Sequence, residues 1–145
     1  MKTIVIDGKE YPIDCNALTY VKYKSMFKTG ILYDTQKIQT FVTLQKINKE
    51  KIEKENPNIS NEELEETMGD LMMPVVDEFV KAITQIAWIM IYSANDSIEE
   101  YEKWLRGIKK FSVNDKWIVE VTEFAVNCFC WWRSWKIFKQ NKQKQ

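Results

Sequence analysis

The chain contains no histidine. This absence removes the usual proton-transfer group near neutral pH and the commonest metal ligand. The Ser-His and Cys-His arrangements of nucleophilic catalysis go with it. Cysteine is scarce and odd in number: Cys15, Cys128 and Cys130. Three thiols without regular spacing do not make a disulfide framework, which points to a reducing compartment. The opening MKTIVIDGKEYPID has no long apolar stretch of the kind a secretory signal needs. Nor does any window approach the roughly 18 apolar residues that span a bilayer. The most apolar run, Ile86 to Tyr92, is far shorter. The expectation is a cytosolic protein that does not enter a membrane. Net charge is missing as well, with 21 basic and 21 acidic residues. A zero balance supplies no overall attraction to nucleic acid. It favours self-association or partner binding, because little repulsion keeps molecules apart.

What is present is a globular composition. The chain has 145 residues, 45% hydrophobic and 29% charged, enough for one domain with a buried core. Residues 1–14 read as a β-hairpin. With Asp7-Gly8 as a two-residue type I′ turn, Ile4 stands opposite Tyr11, and Ile4, Ile6, Tyr11 and Ile13 share a face. Residues 16–47 read as helices. Asn16 suits an N-cap, and Ala17, Tyr20, Tyr23 and Phe27 form one stripe that Gly30 would stop. By residue type Asp34 suits the N-cap of a second helix carrying Phe41, Leu44 and Ile47.

The segment 48–62, NKEKIEKENPNISNE, reads as a solvated polar linker or exposed helix end. Ser60 with Glu63 makes a capping-box pattern that opens a short acidic helix. Pro74 suits the first position of a further helix. That helix becomes apolar on all sides from Ile86 onward, the mark of a central buried element. Ser97 and Glu100 repeat the capping-box spacing before the stripe Ile98, Tyr101, Leu105 and Ile108. A last helix starts near Asn114, with Trp117, Val121, Phe124, Cys128, Trp131, Trp135 and Phe138 in one seam. The predicted fold is therefore mainly α: one domain over 1–145, an N-terminal β-hairpin packed on a bundle of five or six helices. The helical core spans 63–139 and residues 140–145 form a frayed tail.

Chemistry-bearing patterns are few. Cys128 and Cys130 form a C-x-C pair, but a metal site needs about four ligands and only Cys15 remains to add. Residues two apart on a helix also point in different directions. Buried thiols are the simpler reading, and no metal, cofactor or catalytic residue is expected. The carboxylates between Glu62 and Asp70 lie in a polar stretch. Such a stretch offers neither the burial nor the close pairing that tunes a general acid or base. Asp7-Gly8-Lys9 lacks the spacing of a phosphate loop.

The most pointed feature is the end of the chain. From Trp131 onward there are five basic residues and no acidic one. Trp131, Trp132 and Trp135 with Arg133 and Lys136 could cap the core, form a partner hot spot, stack on single-stranded nucleic acid or meet a membrane surface. We take these five as the expected partner contact, with Glu62, Glu63 and Glu66 as a second surface. The 117–138 seam leaves a homo-oligomer open.

The segment from Ile83 to Phe129 carries a family resemblance. It has an aliphatic-aromatic run over Ile86 to Tyr92, the cap-like Asp96-Ser97-Ile98, Tyr101 followed by Trp104-Leu105, and Phe111 before another helix. Together with the I-D-G-K-E-Y hairpin, this resembles the tail assembly chaperones of siphophages and prophages of Gram-positive bacteria. The resemblance covers most of the chain, with 48–62 the least matched. It implies a non-enzymatic protein that binds the tape measure protein and keeps it soluble while the tail tube forms around it. It further implies a place in the host cytoplasm and absence from the mature virion. Some members also occur as a longer frameshifted form whose extra domain recruits the major tail tube protein. The alternative is a small nucleic-acid-binding regulator using the basic, Trp-rich C-terminus.

Overall fold

A computed structural model describes residues 2–129. The element order is β1 (Lys2–Ile6), β2 (Lys9–Ile13), α1 (Ala17–Phe27), α2 (Ile31–Glu55), α3 (Asn61–Ala94), α4 (Tyr101–Arg106) and α5 (Lys116–Phe129). The protein is mainly helical, with an N-terminal two-stranded antiparallel hairpin packed against the helices. The expected frayed tail, 140–145, lies outside the described residues.

The hairpin forms as its turn chemistry requires. Asp7 and Gly8 have φ of 50° and 80°, the two positive values of a type I′ turn. The register pairs Ile4 with Tyr11 and Lys2 with Ile13. Ile4, Ile6 and Ile13 are buried and Tyr11 is half-buried. The hairpin is tied down at both ends. The Asp14 N–H donates to the Met90 carbonyl at 3.0 Å, and Asp7 Oδ2 accepts from the Lys109 N–H at 3.0 Å.

The helices depart from expectation at their boundaries. In α1, Tyr23 is buried and Tyr20 and Phe27 are half-buried, but Ala17 is exposed and Thr19 takes the inner position. The Asn16 N–H donates to Thr19 Oγ1 at 3.0 Å, so the start of the helix is satisfied through Thr19. The αL residue that ends α1 is Lys28, with φ of 66°, rather than Gly30. Gly30 instead stands at the N-cap of α2. Asp34 is not a cap: α2 begins at Ile31, and Asp34 is buried inside its first turns.

The polar segment 48–62 is mostly helix. Its first eight residues complete α2 through Glu55, and only Asn56 to Ser60 separate α2 from α3. A helix with one buried stripe tolerates charge on its other faces, so composition alone could not distinguish it from a linker. Ser60 caps as expected, accepting from the Glu63 N–H at 3.2 Å. Pro74, however, starts no new helix. It lies inside one continuous 34-residue α3. Pro74 is exposed, so the carbonyl left without its helical partner is on the solvent side. The Ser97–Glu100 box also fails: the Ser97 N–H and Oγ both donate to Asn95 Oδ1, and Glu100 itself precedes α4.

The core is built around the second half of α3. Ten consecutive residues, Ala82 to Ile91, are buried, as the all-round apolar pattern required. The polar members of this run are satisfied. Thr84 Oγ1 lies 2.8 Å from the Val80 carbonyl and 2.8 Å from the Tyr101 hydroxyl. Trp88 Nε1 donates to the Glu99 carbonyl at 2.9 Å. Gln85 joins a network with Tyr23 and Asp34. The Tyr23 hydroxyl is 2.5 Å from Asp34 Oδ2 and 3.2 Å from the Gln85 amide oxygen. A phenol has one proton, and the shorter contact takes it. Gln85 can then reach the phenol oxygen only as a donor, with its amide turned to present Nε2. The Thr29 hydroxyl gives Asp34 a second hydrogen bond at 2.7 Å. Burial, followed by the hydrogen bond to Asp34, pushes the Tyr23 hydroxyl well above the usual tyrosine range.

Tyr23→Phe removes a hydrogen bond from a buried carboxylate and should lower stability by about 1–3 kcal/mol, read as a lower urea midpoint. Pro74→Ala should act oppositely. It restores one backbone hydrogen bond in a continuous helix and should raise stability by about 1–3 kcal/mol. A fall in the midpoint would mean that α3 needs its break.

Candidate partner-binding groove

The two surfaces expected from sequence fare differently. Trp131, Trp132, Arg133, Trp135 and Lys136 lie outside the described residues. The described chain ends with α5, which precedes them in sequence. The last turn of α5 docks on α1, with the Tyr20 hydroxyl donating to the Cys128 carbonyl at 3.3 Å and the Tyr20 ring edge-on to Phe129 at 5.4 Å. Glu62, Glu63 and Glu66 are described and exposed in the first turns of α3. Negative charge there complements the helix dipole. Glu63 turns its backbone into the Ser60 cap. Glu62 and Glu66 are four apart and occupy one side of the helix.

A neighbouring face of α3 borders a groove that sequence reading did not find. Antiparallel helices α2 and α3 are locked near the core by Phe41 stacked on Phe79, ring centroids 4.0 Å apart. They are joined again where the Asn48 amide reaches the Met72 sulfur at 3.5 Å. Lys37 and Glu78 pair across the same seam at 2.9 Å. Their hydrogen bond draws the Lys37 pKa up and the Glu78 pKa down.

Beside this seam opens a trough of about 820 Å³. Its apolar lining is Val42 from α2, Leu64, Met68, Met72 and Val76 from α3, and Val113 from the loop before α5. Its charged lining divides by helix. Lys46 and Lys49 come from α2, and Glu65 comes from α3. Glu62 lies one turn from Glu65, and Glu66 lies three residues before Gly69, which also lines the trough. Val42 is itself exposed, and further large apolar side chains stand exposed on the same two helices: Ile47, Leu71 and Met73. Methionine suits such a surface because its unbranched, polarizable side chain adapts to varied partners. The sequence signal was present in Met68, Gly69 and Met72, which fall on one face of a helix. It was hidden by dividing 48–74 into a linker and two helices.

The other reactive groups among the described residues are Cys15, Cys128 and Asp34. Cys128 has Cys15 as its neighbour, from the other end of the described chain. Cys130 lies outside the described residues. Burial, and then the neighbouring Cys128, pushes the Cys15 thiol up to about 12, so it is not a thiolate at neutral pH. Asp34, the buried carboxylate among the described residues, is occupied by Tyr23 and Thr29. Among the described residues, no group of three His, Cys, Asp or Glu side chains could hold a metal ion. Also among them, no helix is long and apolar enough to cross a membrane.

Gly69 is the outlier within the groove. A glycine inside a helix costs about 0.5–1 kcal/mol relative to alanine. A Cβ built at Gly69 would meet nothing within 4 Å among the described residues, so packing among them does not require a glycine here. Gly69→Ala should therefore raise stability by about 0.5–1 kcal/mol, seen as a higher thermal or urea midpoint. No gain would mean that α3 is not helical around this position. In comparisons with known proteins, the chain matches no family model, no curated protein and no solved structure.

Proposed function

We propose that this protein is a tail assembly chaperone of a siphophage or prophage, working in the cytoplasm of a Gram-positive host and absent from the finished virion. It binds the tape measure protein, holds it soluble and releases it as tail tube subunits polymerise. No bond is made or broken in this role, and no cofactor is needed. The tape measure protein is a long helical chain with apolar stripes, which would aggregate if left uncovered.

The observation that carries the reading is the open, methionine-bearing trough between α2 and α3, with Val42, Ile47, Leu71 and Met73 exposed on the same helices. A monomer with no partner gains nothing from leaving such side chains in water. The hairpin and the Ile86–Tyr92 run agree with the resemblance on which the reading rests. Trp131, Trp132, Arg133, Trp135 and Lys136 would form a second contact, for the same partner or for the major tail tube protein.

The test is co-expression with the tape measure protein of the same phage or prophage, followed by size-exclusion chromatography. The expected outcome is a soluble tape measure protein that co-elutes with this chain. A tape measure protein that stays insoluble would overturn the reading. Strongly salt-dependent capture of a single-stranded oligonucleotide would then favour the regulator built on the basic C-terminus.

A further inference from the structure

We infer that the α2–α3 trough takes an amphipathic α-helix of another polypeptide, lying along α3, with acidic residues on its flank toward α2 and basic residues on its flank toward α3. This deepens the proposed function and rests on the trough being a working surface. It does not need the phage assignment.

The secondary structure of the occupant follows from the walls. Both are helices whose backbone N–H and C=O groups are paired internally. They offer no strand edge, so an extended peptide would bury its own backbone polar groups without partners. A helix satisfies its backbone within itself and presents only side chains. The trough has the length for one. The α3 wall from Asn61 to Val76 is roughly 22 Å long at 1.5 Å per residue, which is about four turns.

Close approach is provided at Gly69. Its missing side chain leaves open space on the groove side of α3 between Met68 and Met72. A glycine there lets a second helix approach the α3 backbone more closely than a side chain would allow. Met68 and Met72 can then repack around the incoming apolar stripe.

The flanking charge follows from the rim. The α2 side carries Lys46 and Lys49, whereas the α3 side carries Glu65 with Glu62 one turn away. A helix with acid on one flank and base on the other meets opposite charge on both sides in one direction only. Reversing its direction places like charge against like on both rims. The rim therefore fixes chain direction as well as preference.

The test uses three synthetic peptides of about four turns with the same leucine-alanine stripe. Their flanks are Glu and Lys, Lys and Lys, or Glu and Glu. Affinity for the full chain is read by fluorescence anisotropy at low and at physiological salt. The bipolar peptide is expected to bind roughly three- to tenfold tighter than either uniform one. In the double variant Lys46→Glu with Lys49→Glu, both rims are acidic and preference should pass to the Lys-Lys peptide. Gly69→Leu should fill the trough and weaken every peptide at least tenfold while leaving the protein folded.

Equal affinity for all three peptides would overturn the inference, as would unchanged binding by Gly69→Leu. So would a concentration-dependent dimer that Gly69→Leu converts to monomer, since the occupant would then be a second copy of this chain. Peptide discrimination with failed co-expression would leave the groove intact and remove the phage assignment. Co-elution with the tape measure protein but no peptide discrimination would do the reverse.

Discussion

A helix with no solvent face is the constraint around which this molecule is arranged. From Ala82 to Ile91, every residue of α3 is buried. Such a segment cannot exist in water alone, so other elements must cover it from every direction. The hairpin and α1, α2, α4 and α5 all pack on α3. Apart from the 25-residue α2, the covering elements are short. Each buries a single stripe, and the short ones are marginal apart from the element they cover. The hairpin illustrates this most plainly, because two strands by themselves are marginal. Ile4, Ile6 and Ile13 gain their burial from the helices.

Surrounding a helix completely also raises a polar problem, since Thr84 and Gln85 lie within the buried run. The covering elements supply their partners. Tyr101 arrives from α4 for Thr84, and Tyr23 arrives from α1 for Gln85. Tyr23 connects onward to Asp34 of α2, so one network fixes how α1, α2 and α3 sit together. Apolar packing alone tolerates sliding, whereas hydrogen bonds inside a low-dielectric core do not. The rings add to this specification. Phe27 contacts Trp88 and Tyr101 edge-on at 6.0 and 5.1 Å, preferred arrangements for aromatic pairs.

The sequence was most legible where one local rule acted alone. Asp7-Gly8 admits few turns, and the hairpin register followed from it. The apolar run after Ile86 could only be central. Legibility failed where two rules competed. Pro74 obeys the rule for a helix start, yet a long amphipathic helix on an established seam absorbs an exposed proline. Asp34 has the residue type of a cap, but its burial was decided by Tyr23 and Thr29, which periodicity does not reveal. The charged residues from Asn48 to Glu55 resemble a linker because only one face of that helix needs to be apolar. The groove was missed as a consequence, since it exists only if α2 and α3 run past the core side by side. Of the expected contacts, Glu62 and Glu66 stand exposed on the same stretch of α3 without lining the groove, while the tryptophan cluster falls beyond Phe129.

The same geometry explains why a binding surface lies where it does. A pair of antiparallel helices has one shared seam and buries one stripe from each partner. Beyond Phe41 in α2 and before Phe79 in α3, Met72 is the one buried residue of these two helices. That half of the pair contributes little to the core, so its outer faces are free of the packing demands that fix residues around Ala82 to Ile91. Apolar side chains can accumulate there without disturbing the fold, and a helix-weakening Gly69 can be retained. Binding energy is then gained at the part of the molecule least committed to folding. A partner that covers Val42, Leu64 and Met68 would also protect the helices that hold them, because any ligand specific for the folded form stabilises it. Stability in this region and occupancy of the groove are therefore thermodynamically linked, through the shared faces of α2 and α3.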